Sequence, residues 1–140
     1  GQLIGYPILD LKPSRKDVYR YLRDLEQVII DALSVLGVHG HRLKGRTGVW
    51  VSGCKIAAVG VRVSSGWITS HGFALNVSTD LSYFKTIVPC GLQDVCITSV
   101  SKEFGCHSEV AEVIPMVINA FAAVFDRCVV LGRPTTGSEI

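Results

Sequence analysis

A cysteine in a tight loop is the first residue of this sequence with potential for covalent chemistry. Cys90 lies between Pro89 and Gly91, where proline fixes one backbone torsion and glycine frees another, so the sulfur can be presented to a substrate. Neighbouring backbone N–H groups could hold a developing oxyanion, and the chemistry would then be attack on an acyl group. The loop alone is weak evidence, because free cysteine is among the most often buried residue types.

A lysine that opens an apolar strand is the second such residue. Lys55 begins the run KIAAVGV, and a lysine in this place usually extends its stem along apolar surface with the ammonium in water. A lysine held against the sheet and aimed into a cleft would instead favour a nearby thiolate. At about 4 Å and an effective dielectric of about 20 the attraction is about 4 kcal/mol, enough to lower the pKa of a thiol well below its usual value of about 8.5.

Small residues on two neighbouring strands indicate where a ligand could approach the backbone. His71 precedes Gly72-Phe73-Ala74, and Ala58-Val59-Gly60 offers a similar floor on the preceding strand. A strand histidine is more often a structural residue than a base. The pair His39-Gly40-His41 lacks a further ligand at useful spacing, so we expect no metal site. No Walker loop and no GxGxxG motif occur, so nothing indicates nucleotide use.

The elements that must position these residues follow from periodicity and turn signals. Leu3 to Leu11 is predicted to be a strand. A helix follows, with Ser14 and Asp17 as a capping box and Gly37 as its stop. Its buried stripe recurs at three-to-four spacing through Val18, Leu22, Leu25, Ile29, Leu33 and Leu36.

The middle of the chain reads as antiparallel strands, and its end as helices. Gly48 to Ser52 and Lys55 to Ser64 form a predicted hairpin around Ser52-Gly53, followed by a third strand from Trp67 to Val77. Asp80 should cap a short helix from Leu81 to Ile87. A last helix is predicted from Ser108 to Arg127, which Pro115 should start, kink or split. Its inward residues would be Val113, Val117, Ala120, Phe121 and Val124. This order predicts an α+β fold with a mixed, largely antiparallel sheet and flanking helices.

Length, composition and charge indicate a single globular domain and argue against two functional classes. The 140 residues, 48% hydrophobic and 19% charged, suit one domain, which we place at residues 1–131 with a flexible tail at 132–140. A net charge of +2 is too weak to indicate nucleic acid, and no apolar run is long enough for a membrane span. Local basic clusters are read as solvated faces, with a docking surface for an acidic protein as the alternative.

The cysteines are predicted to be free thiols. The chain has 5 cysteines and no CxxC pair, which favours a reducing compartment over a disulfide framework. Besides Cys90 they are read as small apolar residues; these are Cys54, Cys96, Cys106 and Cys128.

Six motifs together resemble the lipoyl(octanoyl) transferase family, in the family's order and over about half of the chain. They are GQLIGYPILDL (Gly1 to Leu11), TGVWV (Thr47 to Val51), KIAAVGVRV (Lys55 to Val63), HGFALNVSTDL (His71 to Leu81), VPCG (Val88 to Gly91) and TSVSKE (Thr98 to Glu103). The resemblance implies the fold shared by lipoate ligases and the catalytic domain of biotin protein ligases.

The same resemblance implies roles for individual residues. Cys90 would be the acyl-thioester nucleophile and Lys55 the lysine that lowers its pKa. The acyl chain would lie along Ala58-Val59-Gly60 and Gly72-Phe73-Ala74, and His71 and Asn76 would have supporting roles. It also implies an upstream family segment that ends in a His-Gly-Pro-Gly-Gln motif, of which Gly1-Gln2 match the last two residues. We therefore expect about the first third of the family domain to be absent from this sequence.

The implied reaction transfers an octanoyl group from octanoyl-acyl carrier protein to a lysine of a lipoyl domain, without ATP or another cofactor. Acceptors would be the lipoyl domains of 2-oxoacid dehydrogenase complexes and the H protein of glycine cleavage. The compartment would be the cytoplasm in a bacterium, or a mitochondrion or plastid in a eukaryote. Two alternatives stay open: an ATP-dependent lipoate-protein ligase of the same fold, and a truncated, non-catalytic module that binds carrier or lipoyl domains.

Overall fold

The computed structural model describes residues 1–13, 16–86 and 95–132, and its framework is an antiparallel sheet with helices on one face. The strands are β1 (Gln2–Gly5), β2 (His41–Leu43), β3 (Arg46–Val51), β4 (Cys54–Val63) and β5 (Thr69–Asn76), in the spatial order β1-β5-β4-β3-β2. The helices are α1 (Val18–Val35), α2 (Val100–Phe104) and α3 (Val110–Phe125), with a 3-10 helix at Leu81–Thr86. The predicted α+β class is confirmed. No helix of the described ranges is long and apolar enough to cross a membrane.

Helix α1 confirms the clearest periodic pattern in the sequence. The Asp17 carboxylate accepts the Arg20 N–H at 3.0 Å, and Gly37, with φ +74°, follows the last turn. The stripe is displaced at its first member, because Val18 is exposed and Tyr21 is buried. Ser14, the other half of the predicted capping box, lies outside the described residues.

The strand predictions are confirmed in the middle of the chain and wrong at its start. Strands β3 and β4 form the predicted hairpin, and β5 lies within the predicted third strand. The first strand ends at Gly5 rather than Leu11, and only the bridge between Asp10 and Ile68 resumes the pairing. Pro7 has no N–H to donate, so it interrupts the ladder. The three-residue strand β2 was not predicted, since it is too short to show alternation.

Helix α3 runs through Pro115 as one element, which corrects the prediction that proline would start or split it. The helix begins five residues earlier, where Glu109 and Glu112 form a reciprocal capping box. Proline removes one donor to the carbonyl of Ala111, and both residues are exposed, so water can replace the missing bond. The residues buried by α3 are Val113, Val117, Ala120 and Phe125, with Phe121 and Val124 partly buried beside them.

A buried carboxylate joins α1 to the sheet. Glu26 is 0% exposed and accepts hydrogen bonds from Arg23 Nη1 at 2.7 Å, Arg42 Nε at 3.1 Å and the Gly48 N–H at 2.9 Å. Both arginines are partly exposed, so only the carboxylate loses its hydration, and three donors offset that cost. The contact fixes β3 against α1 at Gly48, whose φ of +114° favours glycine.

A disulfide joins Cys54 to Cys96, so the prediction of free thiols is wrong for this pair. The two cysteines stand 42 positions apart in the chain, and only the fold brings them together. Cys106 and Cys128 are free thiols, as predicted, and both are exposed. The disulfide lies where the chain after Cys90 meets the start of β4.

The disulfide predicts a measurable contribution to stability. Cys54→Ala with Cys96→Ala should lower the free energy of unfolding by about 2–4 kcal/mol, because the cross-link restricts a long loop in the unfolded chain. Urea unfolding with and without a dithiol reductant measures the loss. Cys106→Ala with Cys128→Ala is the matched control and should show almost none. A parent protein whose unfolding does not respond to the reductant would contradict the cross-link.

Candidate active site

A shallow groove of about 430 Å³ lies on the sheet face that the helices leave uncovered. Opposite residues of β4 and β5 form its floor, with Ala58 facing Ala74 and Gly60 facing Gly72. Side chains alternate between the faces of a strand, so these small residues point away from the helices while their neighbours fill the core. The groove is lined by Ile4, Tyr6, Ala58, Gly60, Val61, His71, Gly72, Phe73 and Ala74.

Five of the six residues expected to contact an acyl chain line this groove, and Val59 does not. Val59 is 9% exposed and belongs to the core between sheet and helices. Its neighbours Ala58 and Gly60 face the groove, so strand alternation places Val59 on the opposite face. Phe73 belongs to both regions, since it is a core residue that also borders the groove near Gly5.

The two groove glycines differ in what surrounds them. A Cβ added at Gly60 would meet nothing within 4 Å, so this position opens into the groove. At Gly72 a Cβ would lie 2.2 Å from the Gly5 carbonyl oxygen and 2.7 Å from Pro7 Cδ. The close approach expected at Gly72 is therefore made by the chain itself, and this glycine allows the segment after β1 to pack on β5.

His71 lies at the far end of the groove from Lys55. It pairs with Val61 of β4, six residues beyond Lys55, which at about 3.4 Å per residue is about 20 Å. Its φ is +63°, and its exposed ring meets Tyr6 edge to face with a centroid distance of 6.1 Å. The contact with Tyr6 is typical of a groove wall, so this histidine does not act together with Lys55.

A β-bulge turns Lys55 toward the groove face. The register shifts between Val49, which pairs with Ala57, and Trp50, which pairs with Lys55. Ile56 and Ala57 are consecutive and both belong to the helix-side core. A bulge places two successive side chains on one face, so Lys55 falls on the other face, where simple alternation would have sent it inward.

Trp50 holds the Lys55 side chain on that face. The Lys55 ammonium lies 5.0 Å from the centroid of the indole, a cation–π contact, and Trp50 is only 1% exposed. Arg46 approaches the same ring, with Cζ 5.6 Å from the centroid. Lys55 is partly buried rather than fully solvated. Sequence reasoning missed Trp50, although its place in the TGVWV motif was noted.

Backbone bonds at Lys55 fix the segment that follows the predicted nucleophile. The Lys55 N–H donates to the Cys96 carbonyl at 2.8 Å, and the Thr98 N–H donates to the Lys55 carbonyl at 3.0 Å. This parallel bridge stands beside the disulfide. Buried Asn76 adds a third link, since its amide nitrogen donates to the Thr98 carbonyl at 3.1 Å and its oxygen accepts from Gln2 at 2.9 Å. Asn76 therefore links β1 to the segment at Thr98.

Cys90, the predicted nucleophile, lies outside the described residues. It precedes Cys96 by six positions, and Cys96 is bonded to Lys55 through its backbone. Among the described residues no three side chains of histidine, cysteine, aspartate or glutamate cluster as a metal site would require.

Comparisons with known proteins show which family the chain resembles. The family model of the lipoyl protein ligase A/B catalytic domain matches residues 1–122. An octanoyltransferase of Rubrobacter xylanophilus is 52% identical over 124 residues, or 89% of this chain and 55% of that protein. An octanoyltransferase of Solibacter usitatus is 53% identical over 126 residues, or 90% of this chain and 56% of that protein. The chain thus spans about half the length of these relatives.

Solved structures share the fold at low sequence identity. Biotin protein ligase from Aquifex aeolicus, in complex with biotin and ATP, superposes with a TM-score of 0.70 at 18% identity over 90% of this chain and 50% of that one. Lipoate-protein ligase A bound with ATP gives a TM-score of 0.66 at 16% identity over 89% of this chain and 51% of that one. These likenesses confirm the predicted ligase-type fold.

The difference between Gly72 and Gly60 predicts how an added methyl group affects stability, and Gly60 serves as the control. Gly72→Ala should lower the free energy of unfolding by about 1–3 kcal/mol, because the added methyl group overlaps the Gly5 carbonyl. Gly60→Ala adds the same methyl group to open space and should change stability by less than about 0.5 kcal/mol. Urea unfolding of both variants tests this, and equal losses would contradict the assigned packing.

Proposed function

This chain belongs to the lipoyl protein ligase A/B catalytic domain family, and we propose that it transfers an octanoyl group from octanoyl-acyl carrier protein to a lysine of a lipoyl domain. The observation that carries the proposal is the identity of about half of its residues to octanoyltransferases across nine-tenths of the chain. Cys90 forms the thioester intermediate, and Lys55 assists it.

The first half-reaction moves the acyl group onto the enzyme. The Cys90 thiolate, paired with the Lys55 ammonium, attacks the thioester carbonyl and forms a new C–S bond. The carrier's C–S bond then breaks, and its sulfur leaves as a thiol with a proton from Lys55. One thioester replaces another, so the step is nearly balanced and needs no ATP.

The second half-reaction uses the neutral Lys55 that the first leaves behind. The amine of the acceptor lysine attacks the octanoyl-Cys90 carbonyl, an amide C–N bond forms, and the bond to sulfur breaks. Lys55 accepts the proton that the amine loses, and the Cys90 thiolate returns. The thiolate and ammonium with which the cycle began are restored, so the scheme is a two-step transfer with ping-pong order.

The groove supports an acyl substrate through its shape and its lining. Its floor of alanine and glycine leaves room for a linear chain, and Lys55 lies on the same face of β4, three residues before Ala58. Each buried CH₂ stabilises the bound state by about 0.8 kcal/mol. His71 and Tyr6, at the other end, would contact the tail of the chain.

Partners and location follow from the same proposal. The acceptors are the lipoyl domains of 2-oxoacid dehydrogenase complexes and the H protein of glycine cleavage. The relatives reported above are bacterial, which favours the cytoplasm as the compartment.

The second candidate function is that of an ATP-dependent lipoate-protein ligase, since the family model covers both types of enzyme. A requirement for ATP and free octanoate in place of the thioester would favour it.

The intermediate on Cys90 is tested by mass spectrometry. Incubation with octanoyl-acyl carrier protein should add one octanoyl mass, because the thioester is stable until an acceptor amine arrives. Cys90→Ser should abolish the adduct, and Cys106→Ser, at an exposed free thiol, should leave it unchanged. An adduct that persists in Cys90→Ser would contradict the assignment.

The role of Lys55 is tested by the pH dependence of alkylation. Lys55→Met should raise the pH at which Cys90 reacts with iodoacetamide, because the ammonium that stabilises the thiolate is gone. Lys55→Arg should retain part of the charge effect but neither give nor accept a proton. Acylation then proceeds with the carrier's sulfur leaving as a thiolate, while transfer to the acceptor is slow. Lys12→Met, at an exposed lysine paired with Asp10, is the control. A pH profile that Lys55→Met leaves unchanged would make Lys55 a surface residue only.

A further inference from the structure

The distribution of charge along the chain is uneven and bears on how a partner docks. No aspartate or glutamate occurs between Asp31 and Asp80, a stretch that contains all of β2, β3, β4 and β5. The same stretch carries the cations Arg42, Lys44, Arg46, Lys55 and Arg62. The net charge of +2 conceals this, because the carboxylates lie on the helices and in other segments.

Only some of these cations are available to a partner. Arg42 is bound to the buried Glu26 carboxylate, so its charge is largely neutralised. Lys44 and Arg46 are exposed, and within residues 1–13, 16–86 and 95–132 neither lies in an ion pair. We call these two residues the hairpin patch.

The hairpin patch is held beside the candidate site. Lys44 and Gly45 form the two-residue turn between Leu43 and Arg46, and the φ of Gly45 is +75°. Lys44 is thus at the tip of the hairpin. Arg46 contacts the Trp50 ring from which the Lys55 ammonium is 5.0 Å away. The charges of Arg46 and Lys55 are therefore separated by about one Debye length or less at 0.1 M salt, about 10 Å.

We propose that the hairpin patch docks an acidic surface of the protein that carries the octanoyl thioester. The inference rests on the proposed function and adds where the donor binds. A patch at a hairpin tip lies beside the groove rather than over it, so its partner must reach the site with a longer arm. A thioester at the end of a flexible arm meets that requirement, whereas a lysine side chain is short and its domain must cover the site itself. Charge complementarity of this kind acts mainly on the rate of encounter.

Kinetics with two donors test the docking. Lys44→Glu with Arg46→Gln, in the chain extended to the length of its relatives, should lower kcat/KM for octanoyl-acyl carrier protein about tenfold or more, and glutamine at position 46 removes the charge without placing a carboxylate near Lys55. For octanoyl-pantetheine, a thioester without a carrier, the loss should be at least fivefold smaller, since no protein surface is docked. Raising the salt concentration should slow the parent with the carrier and affect the reversed variant much less. Arg20→Glu, an exposed charge reversal on α1, is the control and should behave as the parent.

The outcomes separate the docking proposal from the function. Equal losses with both donors would show damage at the site and overturn the docking proposal, and so would no loss with either donor. If the parent transfers octanoate from neither donor, the proposed function fails. The docking proposal is then tested by the binding of acyl carrier protein alone. Titration of Cys90→Ala enzyme with acyl carrier protein should then show binding that Lys44→Glu with Arg46→Gln weakens about tenfold or more. Equal binding by the enzymes with and without the changes at Lys44 and Arg46 would overturn the docking proposal.

Discussion

The β-bulge at the start of β4 is the constraint on which the candidate site depends. Ile56 and Ala57 both face the core, so the strand reaches Lys55 with its side chain on the open face. Without this extra residue the lysine would point into the apolar layer beneath α1, where its charge would cost several kcal/mol. Gly48 of β3 also holds the bulge in place. Its N–H donates to the buried Glu26 carboxylate, and a Cβ at Gly48 would collide with the Ala57 carbonyl oxygen, so the close pairing with β4 at this point requires glycine.

The position of Lys55 is held by backbone bonds as well as by its side-chain contact with Trp50. Lys55 uses its own N–H and carbonyl to bind the chain at Cys96 and Thr98, and the Cys54–Cys96 disulfide fixes the same crossing. A position held by main-chain bonds varies little with side-chain rotamers, so Lys55 keeps a constant relation to Cys96 and Thr98. Preorganisation of this kind is what general acid–base and nucleophilic steps require.

Local signals in the sequence predicted the elements well, and pairing between distant strands accounts for what they missed. Periodicity and Gly37 define α1, and Ser52-Gly53 defines the hairpin of β3 and β4. The bulge and the disulfide depend on which residues meet across strands, and one sequence does not state that register. Val59 is different: alternation beside Ala58 and Gly60 was enough to place it in the core. The close contact at Gly72 was recognised, but sequence alone cannot distinguish a ligand from the chain's own Gly5.

The absence of carboxylates from β2 to β5 adds an electrostatic constraint to the geometric one. A carboxylate near Lys55 would pair with the ammonium and compete with a thiolate for it, and a sheet without one leaves the charge available. The Glu26 carboxylate near the hairpin is bound to Arg23 and Arg42, so it does not neutralise Lys44 or Arg46, and their positive charges attract acidic surfaces over about a Debye length. One feature of the sequence thus bears on both proposals, since no carboxylate between Asp31 and Asp80 competes for the Lys55 ammonium or opposes the charges of Lys44 and Arg46.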